Sequence, residues 1–534
     1  MSVSSNVWFR RFGLLLLACG LVFGQTAPGS QSKSDPAKEN QHSGDIGINV
    51  EQNPSSQKKA PERKISPEEA KALFASVDEI FKFASEDTGF VIKHPVKREL
   101  ASRDVVQKYV ESRLSDDEDA KRLERSEIVL KKFGLLPRDF DLHTFLVGLL
   151  REQVAGYYDV RSKTIFLLDW LDADAQQPVL AHELTHALQD QNYDLKKWSS
   201  PGDDHPKPDK KDDRFDYDED EESMARNAVA EGQAMVTLID YMLRPTGHSL
   251  ADSPQFGKVM RDAMGNATDS PMLERAPLML RESLLYPYRD GLDFEQELLT
   301  AGGRPLAFNG AFKQPPQNTH QILDPADYLK RAPILPLPIP DLRSTLGKSY
   351  EKYDVGSVGQ FDVSVIMKQY SDDAAAAKLA SSWRGGSYYA ARKSSNSNAA
   401  IATGDLALLY LSRWDSDKAA EQFANVYREG LTKRYKQAGK PQCLPADTCD
   451  RTLVSTEEGP VIIEHLANST ILITEGFEPL LQQQLKARLQ SDSDKRAARR
   501  DLILPFTRCA LLQDAMKNAV LKSLLRVSRQ LTAR

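Results

Sequence analysis

His182, Glu183 and His186, in the pentapeptide His182-Glu183-Leu184-Thr185-His186, are the residues whose types and spacing most directly imply chemistry. In a helix, residues four apart stand one turn above each other, so the two imidazoles can converge on one ion. Glu183 lies about 100° around the axis from His182, and so approaches the open side of that ion without being a ligand. One zinc ion (Zn2+) held there lowers the pKa of a bound water and polarises a carbonyl. Glu183 is then the catalytic general base, which takes the water's proton and passes it to the leaving amine. Val179, Leu180, Leu184, Ala187 and Leu188 give the helix an apolar side, which argues against two histidines merely solvated on a helix surface.

A catalytic zinc usually takes a third protein ligand. No histidine stands at the short spacing of His-Glu-x-x-His-x-x-Gly-x-x-His, because Gln189, Asp190 and Asn192 occupy the next turn. The better candidate is Glu231 in Ala230-Glu231-Gly232-Gln233-Ala234, whose small neighbours allow close helix packing. Glu221, Glu222 and His205 are the other candidates. Asn227, one turn before Glu231, and Asp190 are candidates for orienting a ligand or a water.

The elements that must position these groups follow from periodicity. Helices are predicted over 67–85, 103–115, 118–133 and 139–152, the first announced by Ser66-Pro67-Glu68-Glu69. Val154 to Asp159 and Thr164 to Leu168 predict a hairpin, and the motif helix follows over 175–191. Residues 199–222 interrupt the pattern. Asp203 to Glu222 holds eleven acids against four Lys or Arg, and reads as a solvated acidic insertion. Its Asp216, Asp218 and Asp220 resemble the start of a calcium loop. However, Glu221 replaces the required glycine and Asn227 the bidentate Glu, so an EF-hand is excluded. Helices are then predicted over 221–243, 277–285 and 292–300.

A proline-rich bridge, Pro333 to Pro340, leads to a small α+β domain over 341–479. There Phe361 to Trp383 and Lys418 to Lys436 read as helices. Ser387 to Arg392, Leu406 to Trp414, Val461 to His465 and Thr470 to Thr474 read as strands. Residues 480–534 form a basic helical tail, with twelve Lys or Arg against four acids. The expected fold is α+β: a mainly helical catalytic domain over 66–340 with a small edge sheet, then the smaller α+β domain and the tail.

Composition narrows the function. Across 534 residues, 40% hydrophobic and 27% charged with net charge -6, the chain reads as a multidomain globular protein without the basic excess of a nucleic-acid binder. Arg10-Arg11, the apolar run Phe12 to Phe23 and small or polar residues at Gly24 to Thr26 have the layout of a signal peptide over 1–24. The expected location is therefore periplasmic or secreted. The competing layout is a lipobox, Leu16-Leu17-Ala18-Cys19, in which case Cys19 would be lipidated and the protein membrane-associated. Residues 25–65 are polar and read as a disordered leader. Cys443 and Cys449 flank a loop-like segment and are spaced to close a small disulfide ring in an oxidising compartment, or are two free thiols that happen to be neighbours.

Taken together, His182-Glu183-x-x-His186 and the distant Glu231 resemble the gluzincins, a class of zinc metallopeptidases. Ala181-His182-Glu183-Leu184-Thr185-His186-Ala187-Leu188-Gln189-Asp190-Gln191 with Ala230-Glu231-Gly232-Gln233-Ala234 is similar to a little-characterised bacterial group among them. Gly156-Tyr157-Tyr158-Asp159, Tyr288-Arg289-Asp290-Gly291-Leu292-Asp293-Phe294 and Pro315 to Leu323 extend the likeness, although an acid is more usual where His320 stands. A looser likeness continues at Trp383-Arg384-Gly385-Gly386.

The resemblance implies metal binding by His182, His186 and Glu231, with Glu183 as base and a peptide or protein substrate. It also implies that the strand near Tyr158 could hold an extended peptide by its backbone. Tyr158, Tyr288 and His320 are its candidates for stabilising the developing oxyanion. A zinc amidase for a nonpeptide or cell-wall amide, and an inactive peptidase-like binding protein, are the competing readings.

Overall fold

In a computed structural model of the chain, residues 64–503 are described apart from 107, 109–116, 154–155, 172, 200–213, 266–270, 333, 335–336, 395–400 and 446–448. The signal segment with Cys19, all but the end of the leader, most of the helix expected over 103–115 and residues 504–534 of the tail lie outside them. No helix among the described residues is long and apolar enough to cross a membrane.

The molecule is α+β. Helix α1 (Pro67–Thr88) begins in a reciprocal cap, in which the Ser66 hydroxyl accepts from the Glu69 N–H and the Glu69 carboxylate accepts from the Ser66 N–H. Strand β1 (Lys97–Ala101), helix α2 (Asp117–Phe133) and helix α3 (Leu142–Gln153) follow. Then come β2 (Tyr157–Asp159), β3 (Thr164–Leu168) and the motif helix α4 (Ala173–Tyr193). The small sheet has three strands, with β3 in the middle, parallel to β1 and antiparallel to β2. β2 is thus an edge. β1 escapes the hydrophobic pattern because Lys97, Arg98 and Glu99 keep it polar and it buries only Ala101.

Two expectations about the next helices need correcting. The acidic insertion predicted over 199–222 does not extend to 222, since helix α5 (Arg214–Leu243) already includes 214–222. Glu221 within it is buried, and its Oε2 accepts from the Thr319 N–H and hydroxyl at 3.0 and 2.8 Å. Acids at a helix N-terminus favour the helix through its dipole, so an acidic run there extends the element as readily as it would solvate a loop. The helices predicted at 277–285 and 292–300 are one, α6 (Leu278–Pro305), which continues through Pro287. Packing against α5 outweighs the local proline signal. α6 kinks near its end, where Gly303 adopts φ 66°, and a π-helical turn, Leu306–Gly310, follows.

The carboxy-terminal sheet is larger than expected. β4 (Tyr350–Ser357), β5 (Trp383–Lys393), β6 (Leu406–Trp414), β7 (Gln442–Leu444), β8 (Arg451–Thr456), β9 (Gly459–Leu466) and β10 (Thr470–Glu475) join in the order β4-β5-β6-β10-β9-β8-β7. All pairs are antiparallel. The continuous helix predicted from Phe361 to Trp383 is broken. Helix α7 (Gln360–Tyr370) stops, Asp372 caps a second short helix by accepting from the Ala374 and Ala375 N–H groups, and Trp383 opens β5. Helix α8 (Asp417–Arg434) and helix α9 (Pro479–Ile503) complete the described chain.

The sheet is covered on both faces. One face joins a core continuous with α1, α4, α5 and α6. The other carries Tyr389, Leu409 and Leu472, closed over by Ile339 of the bridge, by Leu342 just after it and by Leu485 and Leu489 of α9. Across the seam with the amino-terminal helices, the Phe133 ring meets those of Tyr388 and Tyr410 edge-on at 5.6 Å each. Lys132 Nζ pairs with Glu458 at 2.9 Å, and Arg434 donates to the Lys132 carbonyl at 2.5 Å. Arg434 also pairs with buried Glu475 at 2.9 Å, and that carboxylate accepts from the Tyr427 and Tyr435 hydroxyls, each at 2.6 Å. Cys443 and Cys449 form a disulfide.

Candidate metal centre

α4, α5 and α6 converge on the pentapeptide. His182 Nε2 lies 3.2 Å from His186 Nε2, and Glu231 Oε2 lies 3.2 Å from the first and 3.4 Å from the second. All three residues are buried. A tetrahedral ion with bonds of about 2.0–2.1 Å holds its ligand atoms roughly 3.3–3.4 Å apart. The triangle therefore fits zinc, and its donor set of two imidazoles and one carboxylate is of the kind that ion takes. Among the described residues, these three form one of two groups of potential ligands. Burial alone would raise the Glu231 carboxyl, but the neighbouring His186 and His182 outweigh it and hold the group below its ordinary range.

Glu183 stands beside the triangle without belonging to it. Its Oε2 accepts from the Tyr158 N–H at 2.9 Å, whereas Oε1 is buried and has no hydrogen-bond partner among the described residues. Burial, and then the charge of Glu231, push this carboxyl well above the usual range, opposed by the Tyr158 N–H. The edge strand and the motif helix are thus joined at the Glu183 carboxylate.

The other candidate residues separate. Tyr288, on α6, packs its ring face against His182 with centroids 6.1 Å apart and planes 25° apart. Tyr158 does not present its hydroxyl to the triangle. That group donates to Asp190 Oδ2 at 2.8 Å, and Lys163 Nζ holds the same oxygen at 2.6 Å. Asp190 therefore braces the edge strand, and among the described hydrogen bonds makes none to His182, His186 or Glu231. His320 is also turned elsewhere, with one ring nitrogen bonded to Gln360 Oε1 and the other 3.1 Å from Asp327 Oδ2. Its ring lies against Trp383, centroids 6.2 Å apart, at the seam with the sheet. The second group of potential ligands, His320, Asp324 and Asp327, includes this hydrogen-bonded His320–Asp327 pair. Asn227 is half-buried one turn before Glu231, and among the described hydrogen bonds makes none to it. Glu221 is committed to Thr319 and Glu222 to Arg226, while His205 lies outside the described residues.

Several residues that hold the centre were not singled out from the sequence. His186 Nδ1 is 2.8 Å from Gln189 Oε1, and Gln189 Nε2 reaches the Ala230 carbonyl at 3.0 Å and Gln233 Oε1 at 3.2 Å. Gln191 and Asn192 tie the loop after α1 to α4. Asn192 exchanges hydrogen bonds with the Val91 backbone, and Gln191 accepts from the Lys93 N–H at 2.8 Å and donates to the His94 carbonyl at 2.9 Å. An unbroken polar run, Gln189 to Asn192, directly after apolar helix positions was the available signal. Polar side chains on a buried helix require partners.

Gly232 is also explained. A Cβ there would overlap the Gly291 carbonyl, and one on Gly291 would overlap that of Ala228. The glycines let α5 and α6 cross backbone to backbone, which brings Glu231 and Tyr288 to the same centre. Gly232's role is therefore toward α6, rather than toward the motif helix. Gly291→Ala is expected to cost roughly 1–3 kcal/mol of stability by overpacking, and to weaken any metal binding at the triangle by displacing Glu231. Urea unfolding and metal analysis of the variant check this.

A family model described as Domain of unknown function (DUF8575) matches residues 348–476. These residues span β4 to β10 and lie outside the metal centre. No curated protein and no solved structure matches the chain.

Proposed function

We propose that the protein is a zinc-dependent endopeptidase, with a zincin-like catalytic region of the gluzincin type that holds one zinc ion through His182, His186 and Glu231. The supporting observation is the triangle of ligand atoms 3.2 to 3.4 Å apart, with a second buried carboxyl group, Glu183, outside the ligand set. Zinc bound there supplies an acidified water and a polarised carbonyl. Glu183 takes up the proton at Oε1, while the Tyr158 N–H keeps Oε2 in place. A buried carboxyl beside the ligand set suits a group that must carry a proton from water to a leaving amine. Tyr288, against His182, is the best-placed candidate to steady charge on the carbonyl oxygen.

A peptide is the favoured substrate because β2 is a sheet edge immediately beside Glu183, suited to an extended chain. The amino-terminal layout supports an exported protein, acting in the periplasm or outside the cell. The deciding experiment measures zinc in the purified chain and its cleavage of a peptide library. About one zinc per chain is expected, with cleavage abolished by a chelator and restored by zinc. Absence of stoichiometric zinc, or cleavage indifferent to chelation, would overturn the reading.

A further inference from the structure

The donor and acceptor roles along one buried run of side chains can be assigned from its far end. Gln233 faces the carbonyls of Ala307 and Phe308 at 2.8 and 3.1 Å. A carbonyl oxygen only accepts, so the end of Gln233 facing them is its NH2, and its oxygen points the other way. That oxygen and the Ala230 carbonyl both lie by Gln189 Nε2, at 3.2 and 3.0 Å. Gln189 must then also donate on this side, which turns its own oxygen toward His186 Nδ1 at 2.8 Å. An amide oxygen cannot donate, so Nδ1 carries a proton, and in the neutral ring Nε2 keeps its lone pair, inside the triangle with His182 and Glu231. Gln189, Gln233 and His186 are all buried, which keeps bulk water from offering the ring another partner.

We infer that Gln189 and Gln233 are positioning residues that preset His186 as its Nδ1–H tautomer before any ion arrives, with the π-helical turn Leu306–Gly310 as their anchor. A neutral imidazole has two tautomers, and only this one presents Nε2 as a ligand. The purpose of the device rests on the proposed metal site. Its chemistry does not, because the tautomer belongs to the metal-free chain. The turn that supplies the two carbonyls follows directly on the Gly303 kink, so the end of α6 is coupled to the metal ligand through two amides.

The test is long-range proton–nitrogen correlation of the histidine rings in the full-length, metal-stripped protein labelled at histidine. The His186 signals are identified among the nine histidines by their loss in His186→Gln. The expected wild-type pattern is Nδ1–H at His186, and an Nε2–H pattern would overturn the inference. In Gln189→Met, which keeps bulk but cannot accept, the ring should populate both tautomers and zinc affinity should fall about 10–100-fold. Gln233→Met should lose less than Gln189→Met, because the Ala230 carbonyl still orients Gln189. A Gln189→Met protein with unchanged tautomer and affinity would also sink the idea. Should that variant not fold, the wild-type spectrum decides alone. A wild-type chain with Nδ1–H at His186 but no affinity for zinc would sustain the relay and refute the proposed function.

Discussion

Glu183→Gln is expected to leave zinc bound at the wild-type level while peptide cleavage falls roughly 10²–10⁴-fold, the usual contribution of a positioned general base. The amide matches the carboxylate in shape, and its oxygen can still accept from the Tyr158 N–H that now holds Oε2. What it cannot do is take a proton. The substitution also removes a buried acid whose ionisation is disfavoured by its surroundings, so the fold should be no less stable than that of the wild type. Zinc content, peptide turnover and thermal unfolding on one preparation separate the possibilities. Full cleavage would refute the base assignment, and loss of zinc would show that Glu183 contributes to holding the ion.

Glu231→Ala should produce the other large effect, a loss of zinc affinity exceeding about a hundredfold, beyond what changes to residues supporting a ligand usually cause. The prediction follows from the triangle, because without Oε2 only two nitrogens 3.2 Å apart remain. The helix crossing should survive, since Gly232 and Gly291 make that contact and the Glu231 side chain does not. Competition against a chromophoric chelator measures the loss. Wild-type affinity in this variant would remove Glu231 from the ligand set.

Local chemistry was legible in the sequence wherever it depended on helical spacing. His182 and His186 are one turn apart, and the helix that carries them runs Ala173–Tyr193 where 175–191 was predicted. The hairpin strand Thr164–Leu168 was likewise visible, because the segment is rich in β-branched and aromatic residues. What stayed hidden depended on contacts far apart in sequence. Nothing in the local pattern around Pro287 shows that α6 runs through it, because the reason is a glycine crossing with α5. β1 and β7 are short strands that are largely polar or exposed and offer no hydrophobic alternation. Tyr158 and His320 could be recognised as chemically able, yet their ring atoms are spent on Asp190, Gln360 and Asp327. Residue type states a capacity, and only the fold decides where it is used.

The ion pairs along the seam bear on what kind of module the carboxy-terminal sheet is. The recognisable segment, 348–476, holds Arg434, Glu475, Tyr427 and Tyr435, but the backbone oxygen that Arg434 also uses belongs to Lys132, and the ammonium that Glu458 pairs with is Lys132's own. Its outer face is likewise closed by Ile339 and Leu342 before the segment and by Leu485 and Leu489 after it. Cut at those boundaries, the piece would lose the lining of both faces at once. The matched segment is thus smaller than the unit that packs together in this chain, and expressed alone it would leave apolar surface on both faces of its sheet uncovered.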